Sequence, residues 1–397
     1  MVFAQRMARL GTESAFEVLA RARQIEAEGR SVVHLEIGEP DFVTPGNIIE
    51  AAQRAMREGA THYTPAAGLP QVREAIAARM SQRGRIPVDP DQVVVVPGSK
   101  NILQFALLAL VDPGDEVVLP DPGYPTYRSL TQFLGAVAKP VAIREELDFR
   151  MDLDEVEAAI SPRTRMLIIN SPQNPTGGVL TSSDLDRVAE LAQRHDLWVV
   201  SDEIYSEICF EPLPDPLWSR PGMAKRTIVM DGLSKTYAMC GWRLGYGVMP
   251  VEVAQRMATL LINTSACAAA FTQLAAVEAL EAPASEMAVK EMVRAFRARR
   301  DKLVAGLNQI HGFRCHLPQA AFYAFPNVTG TGIQSRELAR RLLDEAGVAS
   351  LAGETFGQGG QGHLRFAYTI SEADIGEALA RIAQFVARVA PAAMARG

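Results

Sequence analysis

Six short runs rich in Val, Ile and Leu restrict the folds open to this chain more than any other feature. They are QVVVVPG, DEVVLPD, RMLIINSP, LWVVSDEIY, TIVMDGL and RLGYGVM, all between residues 92 and 249. A strand with one wet face alternates apolar and polar residues; these runs do not. Each therefore reads as a strand buried on both faces, the state of parallel strands covered by helices. Stretches with apolar residues at helical spacing lie before and between them, among them NIIEAAQRAMREG, LPQVREAIAARMSQRG, NILQFALLALV and SSDLDRVAELAQRHD. The expected fold class is α/β, with a large doubly wound, mostly parallel sheet domain over residues 45–283.

After Pro283 the pattern changes. A long amphipathic segment, residues 284–311, precedes two short strand-like runs, AFYAFPN and HLRFAYT, and the helical stretches SRELARRLLDEAG and EADIGEALARIAQFVARVA. This predicts a smaller α+β domain over 284–397, and residues 1–44 are expected to pack with it. No internal repeat or low-complexity tract interrupts the chain.

With 397 residues, 48% hydrophobic, the chain can build two cores. Its net charge of -6 argues against nucleic acid or an anionic membrane surface as partner. Apolar runs such as Ile102 to Val111 are too short to span a bilayer, and the N-terminus lacks the pattern of a secretory signal. Cys209, Cys240, Cys267 and Cys315 show neither metal-ligand nor CxxC spacing, so no metal site is expected and reduced thiols in a cytoplasmic setting are.

Chemistry concentrates where the strand-like runs end, the edge at which open parallel sheets bind ligands. The runs lead into Gly98-Ser99-Lys100, Asn174-Pro175-Thr176-Gly177, Asp202 with Tyr205, and Lys235. Singly, each has a bland role: Ser99 as a helix cap, the Asn174 segment as a turn, Asp202 in a loop ion pair, Lys235 as a snorkelling surface cation. Together they suit one ligand. Gly98 and Ser99 at a helix N-terminus offer amides to a phosphate, and Arg243 adds a planar fork. A buried Asp202 would hold a positively charged ring nitrogen. A desolvated Lys235 would condense with an aldehyde. Phosphate, pyridinium and aldehyde together describe pyridoxal 5'-phosphate.

The stretch GLSKTYAMCGWRLG, Gly232 to Gly245, resembles the attachment site of the class I pyridoxal-phosphate aminotransferases of fold type I. The resemblance runs through LEIGEPDFVTP, THYTPAAGLPQVREAI, DPGYPTY, NSPQNPTGG, SDEIY, AGETFG and HLRFAY, nearly the whole chain. It implies Lys235 as the Schiff-base lysine and Asp202 as partner of the pyridine nitrogen. Asn174 and Tyr205 would bond the ring's 3-oxygen, Tyr124 would stack on the ring, and Gly98, Ser99, Lys100 and Arg243 would surround the phosphate. Tyr63 is similar to a tyrosine that reaches the phosphate from a neighbouring subunit, which implies a homodimer with shared sites. Arg365 would clamp the substrate carboxylate, helped by Gly38 and Asn174.

Two positions depart from the family pattern. Gly232 stands where many relatives carry a phosphate-binding serine, and Ala320 replaces a glycine, a change that would restrict motion of the smaller domain. The implied reaction is transamination of an L-amino acid with a 2-oxo acid, 2-oxoglutarate being the acceptor the family suggests. A pyridoxal-phosphate lyase or synthase shares the same motifs, and a non-catalytic ligand-sensing regulator stands behind both, since no basic helix-turn-helix segment is present. No GxGxxG follows a strand, and PGSK lacks the upstream glycine of a P-loop. The donor's side chain is left open.

Overall fold

The computed structural model describes residues 3–11 and 14–394. At its centre an eight-stranded sheet is built from β1 (Val93–Val96), β2 (Glu116–Asp121), β3 (Val137–Arg144), β4 (Arg150–Met151), β5 (Thr164–Asn170), β6 (Trp198–Asp202), β7 (Thr227–Gly232) and β8 (Gly245–Val248), in the spatial order β1-β8-β7-β6-β5-β2-β3-β4. From β7 across to β3 every pairing is parallel. β8 runs antiparallel to both β7 and β1, and β4 antiparallel to β3 at the far edge.

Every residue of β1, β2, β7 and β8 is buried. The reason is visible in β1. Val93 and Val95 enter a core with Val72 and Ile76 of helix Pro70–Gly84 and Ala275 of helix Ala270–Glu281. Val94 and Val96 enter another with Leu103 of helix Lys100–Leu110 and Met257 of helix Val251–Thr264. Each such valine contributes about 1.5–3 kcal/mol of transfer free energy from either face, so a polar residue is excluded at both parities.

β3 and β4 are absent from the six runs, and their environment explains it. Near the sheet edge only Val141 and Ile143 of β3 are buried, while Val137, Pro140 and Arg144 are exposed. The fully buried pattern of the interior strands is not required there.

The C-terminal part carries helix Pro283–Leu307, which stops short of the expected His311, and a three-stranded antiparallel sheet with Leu364–Ala367 between Tyr323–Ala324 and Leu351–Ala352. Phe296, Leu303, Phe322, Phe366, Ile375 and Ile382 form its core. Val33–His34 pairs with Val348–Ala349, and Ala22 and Ile25 of helix Ser14–Ala27 pack on Leu343 and Ala349. Farther upstream, Gly11 donates its N–H to Ser129 Oγ at 2.9 Å, on the helix that follows β2. Ala320 has ordinary backbone; the left-handed residue of that turn is Ala321, with φ 61°. Among the described residues no helix is long and apolar enough to cross a membrane.

The reversed β8 brings Gly245 opposite both Val96 and Gly232. A Cβ on Gly245 would lie 2.3 Å from the Ser99 nitrogen and 2.6 Å from its Cα. Gly245→Ala should therefore destabilise the fold by about 1–3 kcal/mol, the usual cost of overpacking, seen as a lower urea midpoint at unchanged m-value. A midpoint equal to that of the parent would contradict this crowding.

Candidate active site

The strand order gathers the chain's polar exceptions at one edge of the sheet. The carboxyl ends of β1, β2, β5, β6 and β7 all open there. Because β8 is reversed, Arg243, two residues before it, arrives at the same edge. A cavity of about 360 Å³ lies against this edge, lined by Ser99, Lys100, Tyr124, Asn174, Asp202, Tyr205, Lys235 and Arg243 from the sheet side and by Gly38 and Arg365 from outside it. Gly98 and Tyr63 are not part of its lining. Gly98, at φ 87°, backs the Arg243 guanidinium so closely that a Cβ would fall 2.2 Å from Nη2. Tyr63 is 89% exposed on the surface of the chain.

Ser99 stands at the N-cap of helix Lys100–Leu110, yet its hydroxyl makes no capping bond. The Asn101 and Ile102 amides close onto the Gly98 and Ser99 carbonyls at 3.1 and 2.9 Å, while Ser99 and Lys100 bring the positive end of the helix dipole to the cavity wall. Arg243 adopts a left-handed backbone (φ 55°) and donates from Nη1 to the Cys240 carbonyl at 2.8 Å. Lys235 follows β7 on the short helix Leu233–Thr236. Its Nζ donates to the Gly38 carbonyl at 2.7 Å and sits 3.5 Å from Cys240 Sγ.

Asp202 is buried at the end of β6. Its Oδ2 accepts from the Tyr127 hydroxyl, and its Oδ1 from the Ile204 N–H at 3.3 Å. Burial pushes the carboxyl up to about 7, with those two donors opposing the rise. A cation placed beside it in the cavity would favour the ionised form. Asn170 braces both neighbours: its Nδ2 donates to the Asp202 carbonyl at 3.1 Å and its Oδ1 accepts from the Asn174 N–H at 2.9 Å.

Tyr124 meets Tyr127 edge-on, ring centroids 5.6 Å apart, and the Lys100 ammonium stands 5.4 Å from the Tyr124 centroid. Tyr205 and Tyr323 share a hydrogen bond of 2.8 Å between their hydroxyls. Arg365 is buried in strand Leu364–Ala367. It donates from Nη1 to Asn174 Oδ1 at 3.3 Å and from Nη2 to the Glu36 carbonyl, and its guanidinium lies over the rings of Tyr323 (4.5 Å) and Phe356 (4.9 Å).

Four residues of this constellation escape sequence reasoning: Tyr127, Asn170, Cys240 and Tyr323. Tyr127 had a signal, since it follows Tyr124 by one helical turn within DPGYPTY. Tyr323 had none, because its partner Tyr205 is 118 residues away. Among the described residues no group of three or more His, Cys, Asp or Glu could hold a metal ion.

Known proteins resolve the family. The description "Aminotransferase class I and II" matches residues 30–382. The chain belongs to the class I and II aminotransferases. An arginine–pyruvate transaminase of Pseudomonas aeruginosa is 38% identical over 96% of each chain. An aspartate/prephenate aminotransferase of Cereibacter sphaeroides is 36% identical over 96% of this chain and 98% of its own. The aspartate aminotransferase of Thermus thermophilus with maleate superposes with a TM-score of 0.93 at 36% identity, covering 97% of this chain and 99% of that one. The fold is that of the type I aminotransferases, and the enzyme catalyses transamination.

The buried carboxyl of this aminotransferase has a consequence for stability. With no ligand bound, folded Asp202 keeps its proton to about pH 7, while in the unfolded chain it ionises near 3.8. Between those values the folded state binds more protons than the unfolded one, so this group's contribution to stability falls as pH rises. Asp202→Asn removes it. Unfolding free energies in urea should shift in the variant's favour on going from pH 4 to pH 8; a difference that does not change with pH would refute the assignment of this shift to Asp202.

Proposed function

We propose that the cavity binds pyridoxal 5'-phosphate, that Lys235 is the amine to which its aldehyde attaches, and that the substrates are an L-amino acid and a 2-oxo acid. The observation that carries this reading is the convergence of Lys235, Asp202 and Arg243 on one cavity, three charged side chains from different strand ends.

The donor set suits the group. A carboxyl that burial raises to about 7 is matched by a protonated ring nitrogen, which returns it to the carboxylate form. A helix start with an uncommitted Ser99 hydroxyl, beside Arg243, is matched by a phosphate. A serine at 232 is not needed for that cradle and is poorly accommodated, since a Cβ there would approach Gly245 Cα to 3.0 Å.

When bound, pyridoxal phosphate supplies an aldehyde that captures amines and a ring that accepts the electrons freed when the substrate's α-proton leaves. The chain does the rest. Asp202, clamped by Tyr127, would keep the ring nitrogen protonated. Asn174 and Tyr205 would donate to the ring oxygen, and Tyr124 would cover the ring. The Ser99 amide and hydroxyl, with Lys100 and Arg243, would hold the phosphate. The Gly98 N–H is taken by the Val96 carbonyl at 2.7 Å, so Gly98 serves by leaving room for the Arg243 guanidinium. Arg365 presents its fork to the α-carboxylate, with Gly38 and Asn174 beside it. The Lys235 amine, at the cavity wall, would serve as the general base that takes the substrate's α-proton and as the general acid that gives it back.

A second copy of this chain completes the site in this reading. Tyr63 and Val43 are 89% and 82% exposed, apolar surface of the kind a partner covers. The partner's tyrosine at that position would then meet the phosphate. The cysteines are free thiols, which fits a reducing, cytoplasmic setting. The related enzymes carry names as different as arginine–pyruvate and aspartate/prephenate, so the donor is to be read from a panel of amino acids with 2-oxoglutarate, followed by the cofactor's visible absorbance.

Lys235→Ala should lower turnover by about a thousandfold or more and leave no cofactor fixed to the chain after borohydride treatment. Turnover near the parental level would end the Lys235 assignment. Arg365→Lys should raise the donor's KM by about tenfold with a smaller fall in kcat, because an ammonium cannot reproduce a bidentate fork; an unchanged KM would remove Arg365 from the carboxylate site.

A further inference from the structure

We propose that Tyr323 is a positioning residue that sets two groups of this site at once: the Arg365 guanidinium through its ring face and the Tyr205 phenol through its hydroxyl. The proposal rests on the carboxylate role of Arg365 and the cofactor role of Tyr205 argued above.

The backbone creates the first link. Tyr323 pairs with Ala367 across an antiparallel ladder, and Arg365 lies two residues along the same strand. Residues two apart on a strand share a face, so Arg365 is the diagonal neighbour of Tyr323 on its own side of the sheet, a separation that aromatic and long side chains bridge. The guanidinium duly lies 4.5 Å from the Tyr323 ring centroid. A ring packed against a guanidinium limits the orientations that guanidinium can take, and Phe356, 4.9 Å away, bounds it further. Nη1 and Nη2 spend one bond each on Asn174 Oδ1 and the Glu36 carbonyl. The Tyr323 ring thus restricts the orientation in which the Arg365 fork is presented to a carboxylate.

The hydroxyl makes the second link. Tyr323 Oη and Tyr205 Oη are 2.8 Å apart, with their rings edge to face at 83°. Each phenol has a single proton. If Tyr205 donates its proton to the ring oxygen of the cofactor, the proton between the two tyrosines belongs to Tyr323. Tyr323 then donates to Tyr205 and strengthens the bond Tyr205 makes, as happens along a chain of hydrogen bonds in a dry interior.

The room for that hydroxyl comes from a third residue. A Cβ on Gly38 would fall 2.1 Å from Tyr323 Oη, and the Gly38 carbonyl is the acceptor for Lys235 Nζ. Tyr323 is 2% exposed, so it has no alternative place to go. One side chain thus sets the distance between the carboxylate clamp and the ring-oxygen donor.

The two links separate by substitution. Tyr323→Phe keeps the ring and deletes the hydroxyl; Tyr323→Leu deletes both. The probes are the visible absorption band of the holoenzyme and the dissociation constant of butanoate, a carboxylate without an amino group, read from its effect on that band. Tyr323→Phe should displace the band while leaving the butanoate constant within twofold of the parent. Tyr323→Leu should displace the band similarly and weaken butanoate at least fivefold. Thermal melting of each holoenzyme monitors the fold, and if the leucine variant does not fold, Tyr323→Met removes the same two features with a longer side chain and should behave as the leucine variant was expected to. Equal effects of both variants on butanoate, or an unmoved band in Tyr323→Phe, would overturn the proposal. A parent protein that forms no visible band with pyridoxal phosphate would overturn the cofactor reading itself and this proposal with it, whereas a normal parental band alongside unresponsive variants overturns the Tyr323 assignment alone.

Discussion

The site depends on main-chain segments approaching more closely than side chains permit. Gly232 and Gly245 face each other in register across β7 and β8. A Cβ on the first would meet the Cα of the second at 3.0 Å, and a Cβ on the second would meet the Ser99 nitrogen at 2.3 Å. Gly98 in turn leaves the Arg243 guanidinium its place. These three glycines let the end of β1, the end of β7 and the start of β8 crowd into one corner. That corner holds the helix start, the arginine and, three residues past Gly232, the lysine. Had β8 run parallel to its neighbours, Arg243 would lie at the opposite edge, about four residues of strand away, or roughly 13 Å. The antiparallel turn is thus what makes a single short stretch of sequence, Gly232 to Gly245, able to serve both ends of one ligand.

How much of this was legible in the sequence follows from what each feature requires. The interior strands must be apolar at both parities, and they announced themselves. β3 near the edge has exposed Val137, Pro140 and Arg144, with Lys139 partly covered, so the same criterion passed over it. Of the site, ten expected residues do line one cavity: Ser99, Lys100, Asn174, Asp202, Tyr205, Lys235 and Arg243 stand out as polar exceptions near the ends of apolar strands, whereas Gly38, Tyr124 and Arg365 were implied by the family resemblance alone. Residues that support the site do not stand out. Asn170 reads as the last residue of a strand, and Tyr323 as an aromatic of a small-domain core; what sets them apart is a partner distant in sequence. Ala320 shows how a local difference can draw the eye from its neighbour. Its glycine-to-alanine difference drew attention, whereas the backbone that favours glycine in that turn is at Ala321.

Two buried aspartates show why geometry, and not acidity, identifies the site. Asp202 and Asp231 are both raised by burial to about 7. Asp202 pairs in register with Met230. Paired residues of adjacent strands share a face, so Asp231, the next residue, points through the other side of the sheet. There it finds Arg83 Nη1 at 3.5 Å and the Tyr246 hydroxyl at 3.2 Å, while Arg83 also bonds Glu203. Asp231 thus has a cation supplied by the fold, within a buried network of the kind that specifies packing more than it adds net stability. Asp202 is met by a phenol and a backbone amide, both neutral, at the wall of a cavity. Perturbed acids mark functional sites only probabilistically, because structural ion pairs perturb acids too. The discriminating question is which carboxylate has its positive partner within the protein and which faces space for one. Asp231 answers to Arg83; Asp202, two positions downstream of a run of buried valines, faces the cavity that Lys235 and Arg243 share.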